Sequence, residues 1–140
     1  MSIYLGIPID KSQKDPFEEY KRISSIIVEE LPWTVIYNPL TAFINAKNII
    51  DSSQMEYLIA VNNAALDAAA LAVFIWNGQT TYGVPVEIQR VAGKKPIVLW
   101  NTTEESLGIY LRAALEKGCA YTVDTEEKFR SKLSSFSRRL

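Results

Sequence analysis

Val73-Phe74-Ile75-Trp76, followed after a polar loop by Gly83-Val84-Pro85-Val86-Glu87-Ile88, is the stretch on which the fold turns. An apolar run of strand length passes through turn residues into a helical segment that carries a lone carboxylate, Glu87, in its expected first turn. The same alternation repeats on either side. Strands are expected at residues 3–7, 33–37, 71–76, 96–100 and 119–123. Between them, Asp15, Pro16 and Glu18 supply the start signals of a helix with Tyr20, Ile23, Ile27 and Leu31 on its apolar face and Pro32 at its end. Ser53 with Glu56 and Thr102 with Glu105 read as further capping boxes. A shorter helix is expected at residues 85–92, Gly118 reads as a helix-closing glycine, and a last helix follows Asp124 or Thr125. Residues 40–52 carry mixed signals and read as a loop with a short helical turn.

Strands that are continuously apolar and alternate with helices imply a parallel sheet covered on both faces. The expected architecture is therefore a three-layer α/β/α sandwich around a five-stranded parallel sheet, Rossmann-like or flavodoxin-like. Residues 1–140 form one domain, since the length allows one real core and is too short for two ordinary domains.

Composition narrows the function. The chain is 48% hydrophobic and 22% charged, with a net charge of −1, which disfavours a general nucleic-acid or membrane-surface binder. Its C-terminal run from Lys128 to Arg139 is locally basic, and a cationic last turn suits the helix dipole. No apolar run reaches membrane-spanning length and no basic leader opens the chain, so a cytoplasmic location is expected. The single cysteine, Cys119, excludes an internal disulfide and reads as a core residue. With no histidine, a Ser-His or Cys-His catalytic pair is impossible and a zinc site is not expected.

In an open parallel sheet, ligands bind beyond the carboxyl ends of the strands. Those positions offer Tyr4, Asp10, Asn38, Asn77, Thr80, Thr81, Tyr82, Glu87, Trp100 and Asn101, a set rich in hydrogen bonders and aromatics and poor in fixed charge. It suits a sugar and a flat heterocycle better than a polyphosphate. The first loop, Gly6-Ile7-Pro8-Ile9-Asp10, lacks the spaced glycines of a dinucleotide site, and no phosphate-loop GKS or GKT occurs, so no cofactor is expected. A carboxylate at Glu87 has three possible roles: attacking a carbon, taking a proton, or stabilising its own helix and pairing with Arg90 one turn on.

Ile3-Tyr4-Leu5-Gly6, Tyr37-Asn38-Pro39 and the block from Ala72 to Trp100, with Asn77-Gly78, Gly83-x-x-x-Glu87 and Gly93-Lys94-Lys95-Pro96, resemble the nucleoside 2-deoxyribosyltransferase family over roughly residues 1 to 101. The resemblance implies cleavage or transfer of the N-glycosidic bond of a nucleoside or nucleotide through a glutamate nucleophile. It makes Glu87 that nucleophile and Tyr4 the residue orienting it. Gly6, Asp10, Asn38, Asn77, Thr81, Gly83 and Asn101 become substrate-binding candidates, and a homo-oligomer is implied. Two positions depart from the family pattern. Thr81 stands where an aspartate serves the departing base, and Ala69-Ala70 stands for an Ala-Asp pair, with Asp67 the nearest acid. A non-catalytic nucleotide-binding module on the same scaffold is the alternative. The alanine-rich helix after Ser53 suits close packing against another copy of the chain. Asn62 and Asn63 within it read as subunit-interface or water-facing residues.

Overall fold

A computed structural model describes residues 1–8, 16–39, 52–78 and 83–137. In chain order the elements are β1 (Ser2–Gly6), α1 (Pro16–Glu30), β2 (Val35–Tyr37), α2 (Ser52–Ala68), β3 (Leu71–Trp76), α3 (Gly83–Val91), β4 (Ile97–Asn101), α4 (Ile109–Leu115), β5 (Ala120–Val123) and α5 (Glu126–Ser137). The five strands pair in parallel in the order β2-β1-β3-β4-β5. This is the flavodoxin-like arrangement anticipated from the alternation. Residues Asp10, Asp15, Thr80, Thr81 and Tyr82, and the expected helical turn at 40–52 apart from Ser52, which opens α2, lie outside the described residues.

Two cores follow from the two-residue repeat of the strands. Ile3, Leu5, Val73, Ile75, Val98 and Trp100 point to one side, where Ile23 and Ile27 of α1, Leu31 just after it, and Phe129, Leu133 and Phe136 of α5 cover them. Tyr4, Ala72, Phe74, Ile97 and Leu99 point to the other, against Leu66 of α2, Val84, Ile88 and Val91 of α3, and Leu111, Ala114 and Leu115 of α4. Central β3 and β4 are buried on both faces, which is why they lack polar alternation.

Several expectations give way to local chemistry. Trp33 is not a strand residue: it is 94% exposed and left-handed, with φ of 69°, in a turn where the Thr34 hydroxyl donates to the Leu31 carbonyl at 3.0 Å. Thr102 and Glu105 do not start a helix. Asn101 intervenes: its amide donates to the Glu105 carbonyl at 2.9 Å, and its oxygen accepts from the Thr103 backbone at 3.0 Å and hydroxyl at 2.6 Å. Such side-chain bonds offer the backbone a turn in place of a helix, and α4 starts only after Gly108. Gly118 has a role other than helix closure. A Cβ there would lie 2.7 Å from the Gly93 Cα, so it permits a backbone-to-backbone contact. The helix-closing glycine is Gly93, with φ of 78°, just beyond α3.

Cys119 is exposed, in the turn before edge strand β5, and is not a core residue. Thr125 caps α5 as expected, accepting from the Lys128 backbone at 3.1 Å. The basic residues of α5 are engaged within the chain. Lys128 pairs with Asp124, Arg130 bridges Glu29, Glu30 and Glu126, and the Lys132 ammonium lies 3.9 Å from the Tyr121 ring centroid.

Candidate active site

In this strand order the chain reverses direction across the sheet between β1 and β3, and the crevice beyond their carboxyl ends is where such folds place ligands. Three elements bring groups to it. Tyr4, the middle residue of β1, points to the α2–α3 side, and its long side chain reaches past the strand to donate its hydroxyl to Glu87 Oε1 at 2.7 Å. Phe74 of β3 lies beside it, ring centroids 6.2 Å apart. Glu87 comes from α3. That helix begins at Gly83, earlier than expected, so Glu87 stands in its second turn.

The earlier start bears on what Glu87 does. A second-turn carboxylate is poorly placed to cap the helix or meet its dipole, which act over the first turn. Pairing with Arg90 is also absent, because Arg90 makes a two-pronged ion pair with Asp67 at 2.7 and 2.9 Å. Val84, Ile88 and Val91 are buried, and Glu87 follows them at helical spacing, so the backbone carries its carboxylate inward. Burial pushes the carboxyl up from its ordinary 4.5 to about 7, partly opposed by the Tyr4 hydrogen bond. Tyr4 is driven well above its ordinary value by burial and then by the neighbouring carboxylate, so its proton stays in the bond.

Gly6 explains how the carboxylate fits. A Cβ at this position would lie 2.6 Å from the Phe74 ring and 2.9 Å from Glu87 Oε2. The bare Cα therefore makes room for both. Glu87 is thus held by one oxygen on a phenol, with the other over a glycine, and it is half-buried. Such a group can add to an electrophilic carbon or exchange a proton near neutral pH.

The remaining candidates are placed unevenly. Asn38 is buried just after β2, and Asn77 follows β3 beside Gly78, whose φ is 80°. Gly83 opens α3 with open space around it. Asn101 ends β4, its side chain engaged by the loop that follows. Asp67 does not join the site. It ends α2 at the amino edge of the sheet, where Lys95 also donates to the carbonyls of Leu66, Asp67 and Ala69. Ala70 lies at that same edge, its backbone bonded to Ser2 at 2.9 Å. Among the described residues, no group of three or more His, Cys, Asp or Glu could hold a metal, and no helix is long and apolar enough to cross a membrane.

Two residues of the site escaped the sequence reading. Tyr37 stacks on Tyr4, ring centroids 5.7 Å apart, and donates its hydroxyl to Asn62 Oδ1 at 2.6 Å. Asn62 does not face water: it is buried within the chain, against Tyr37 of β2. The available signal was its spacing, since Asn62, Leu66 and Ala69 form one buried helical stripe.

No family model and no curated protein sequence matches the chain. Solved structures do match its fold. A 2-deoxyribosyltransferase from Bacillus psychrosaccharolyticus superposes with a TM-score of 0.73 at 12% identity, over 95% of this chain and 96% of that one. A conserved protein from Enterococcus faecalis V583 gives 0.71 at 19% identity, over 99% and 98%. A CMP N-glycosidase from Clostridium botulinum gives 0.62 at 15% identity, over 95% and 98%. This chain therefore shares its fold with these three proteins over nearly its whole length.

Proposed function

We propose that this protein cleaves or transfers the N-glycosidic bond of a nucleoside or nucleotide, with Glu87 as nucleophile and Tyr4 orienting it. The observation that carries this reading is the Glu87 carboxylate, turned inward at the switch point and held through one oxygen by a buried phenol. Glu87 Oε2 attacks the anomeric carbon as the carbon–nitrogen bond breaks, and the bond's electron pair leaves on the base nitrogen, which takes up a proton from solvent. Water or a second base then attacks the same carbon, and the carboxylate departs. With its carboxyl near 7, Glu87 is substantially ionised at neutral pH and only weakly solvated. Two proteins of the same fold carry names of this chemistry, a 2-deoxyribosyltransferase and a CMP N-glycosidase.

Gly6, Asp10, Asn38, Asn77, Thr81 and Gly83 are proposed to contact the substrate, and Asn101 to shape the loop beside it. The reaction needs only a nucleophile and proton transfer, so no cofactor is invoked. The single cysteine suits a reducing, cytoplasmic compartment. A homo-oligomer is proposed from the outer surface of α2, α3 and α4, where Met55, Tyr57, Ile59, Val86, Ile109 and Tyr110 are all exposed.

Glu87→Gln tests the assignment. Turnover of deoxynucleosides, followed by product chromatography, should fall by about 10³-fold or more, while ligand-induced thermal stabilisation is kept. A 2-fluoro sugar analogue should leave a glycosyl adduct on the parent protein by mass spectrometry and none on the variant. Equal turnover in the two proteins would exclude Glu87 as nucleophile. Ligand-induced stabilisation without turnover in the parent would assign a binding module.

A further inference from the structure

Tyr4 and Tyr37 are direct partners across the β1–β2 ladder, so their side chains leave the sheet on the same face and their rings stack. Their hydroxyls nevertheless part company. Tyr4 donates to Glu87 Oε1 and Tyr37 donates to Asn62 Oδ1. Asn62 is 8% exposed in the middle of α2. Asparagine is a poor helix former, and a buried amide is costly unless it is hydrogen-bonded, so neither propensity nor packing favours it there. What it supplies is an acceptor for one phenolic proton beside the site.

We propose that Asn62 is a positioning residue that acts through Tyr37: by accepting the Tyr37 hydroxyl it keeps that proton away from Glu87, leaving the carboxylate with Tyr4 as its one phenolic donor among the described residues. The functional half of this inference rests on the nucleophile reading, whereas the geometric half does not. A phenol has one proton to donate, and a carboxylate is a stronger acceptor than an amide. Among the described residues, the titratable groups that feel Glu87 are Tyr4 from β1 and Tyr37 from β2, whose hydroxyl is pushed up first by burial and then by that charge. Without Asn62, the Tyr37 proton turns to Glu87. A second donor then stabilises the ionised carboxylate, ties down its remaining oxygen and makes it a weaker nucleophile.

The test is the titration midpoint of Glu87, followed by NMR of the side-chain carboxyl carbon in the full chain. Asn62→Leu should lower that midpoint by about 1 pH unit, a tenfold change in the ionisation constant, as a second charge-assisted hydrogen bond forms. Tyr37→Phe added to Asn62→Leu should restore the parent midpoint, because the proton responsible is gone. A merely structural role for Asn62 predicts no such rescue. Should Asn62→Leu fail to fold, by far-ultraviolet circular dichroism, Asn62→Ala takes its place in both measurements. An unchanged midpoint in the single variant, or a lowered one persisting in the double variant, would overturn the proposal. Turnover is read separately. Midpoints that move as expected in a protein without N-glycosidic activity would leave the positioning intact and sink the enzymatic reading. Turnover in the parent with static midpoints would do the reverse.

Discussion

Replacing Glu87 by Gln should make this protein more stable at mildly alkaline pH, because the wild-type carboxylate is held where its charged form is disfavoured. In the folded chain its carboxyl sits at about 7, against an ordinary 4.5. A group raised on folding contributes stability that is complete below its unfolded value and lost as pH climbs through the folded one. The loss thus falls between about pH 4.5 and pH 7. The difference of about 2.5 pH units corresponds to about 3 kcal/mol. Gln keeps the size and the Tyr4 acceptor and cannot ionise, so it carries no such penalty. Thermal unfolding of parent and variant at about pH 4 and about pH 8 isolates the effect, with roughly 3–4 °C of melting temperature per kcal/mol for a chain of this length. The melting temperature of the variant, relative to the parent, should gain about 10 °C between the two conditions. A relative melting temperature that does not move with pH would mean that Glu87 is hydrated and ionises freely, and the basis for treating it as a buried nucleophile would be gone.

Tyr4→Phe removes the one bond that lowers the Glu87 carboxyl, so the acid limb of the pH–rate profile should move to higher pH by about 1 unit, with a fixed limb counting against the contact. Gly6→Ala drives a methyl into Phe74 and Glu87 and should cost about 1–3 kcal/mol in urea unfolding. Its loss of turnover should exceed that of a surface substitution of equal stability cost. Tyr57→Arg on the outer face of α2 should halve, or reduce further, the mass seen by light scattering at micromolar concentration. A parent mass of 15.8 kDa, one chain, would remove the oligomer.

The sheet was legible because β3 and β4 are buried on both faces, and burial of that kind leaves a run of apolar residues that nothing else explains. Strand ends were read to within one residue except at the start of β2, where the Thr34 side chain and the left-handed Trp33 replaced two strand positions by a turn. The Thr102–Glu105 pattern misled because Asn101, immediately before Thr102, ties the Thr103 N–H and the Glu105 carbonyl into a turn, while the Thr102 N–H bonds the Trp76 carbonyl. A capping motif states only what its own residues can do. At the candidate site, the resemblance led to the expectation that Tyr4 orients Glu87, and their hydroxyl-to-carboxylate contact is present at 2.7 Å. Asn62 was not, since an Asn in an alanine-rich helix acquires its meaning only from a strand whose register sets Tyr37 beside Tyr4. Asp67 and Arg90 looked available to the site in sequence and meet each other at the opposite edge.

The touch of Gly118 on Gly93 has a mechanical consequence. Backbone lies against backbone there, with no side chain to yield, so the carboxyl end of α3 is pinned to the turn that precedes β5. Glu87 stands six residues before Gly93, about 9 Å along the helix axis, so this backbone contact fixes how far along the sheet its carboxylate is set against Tyr4.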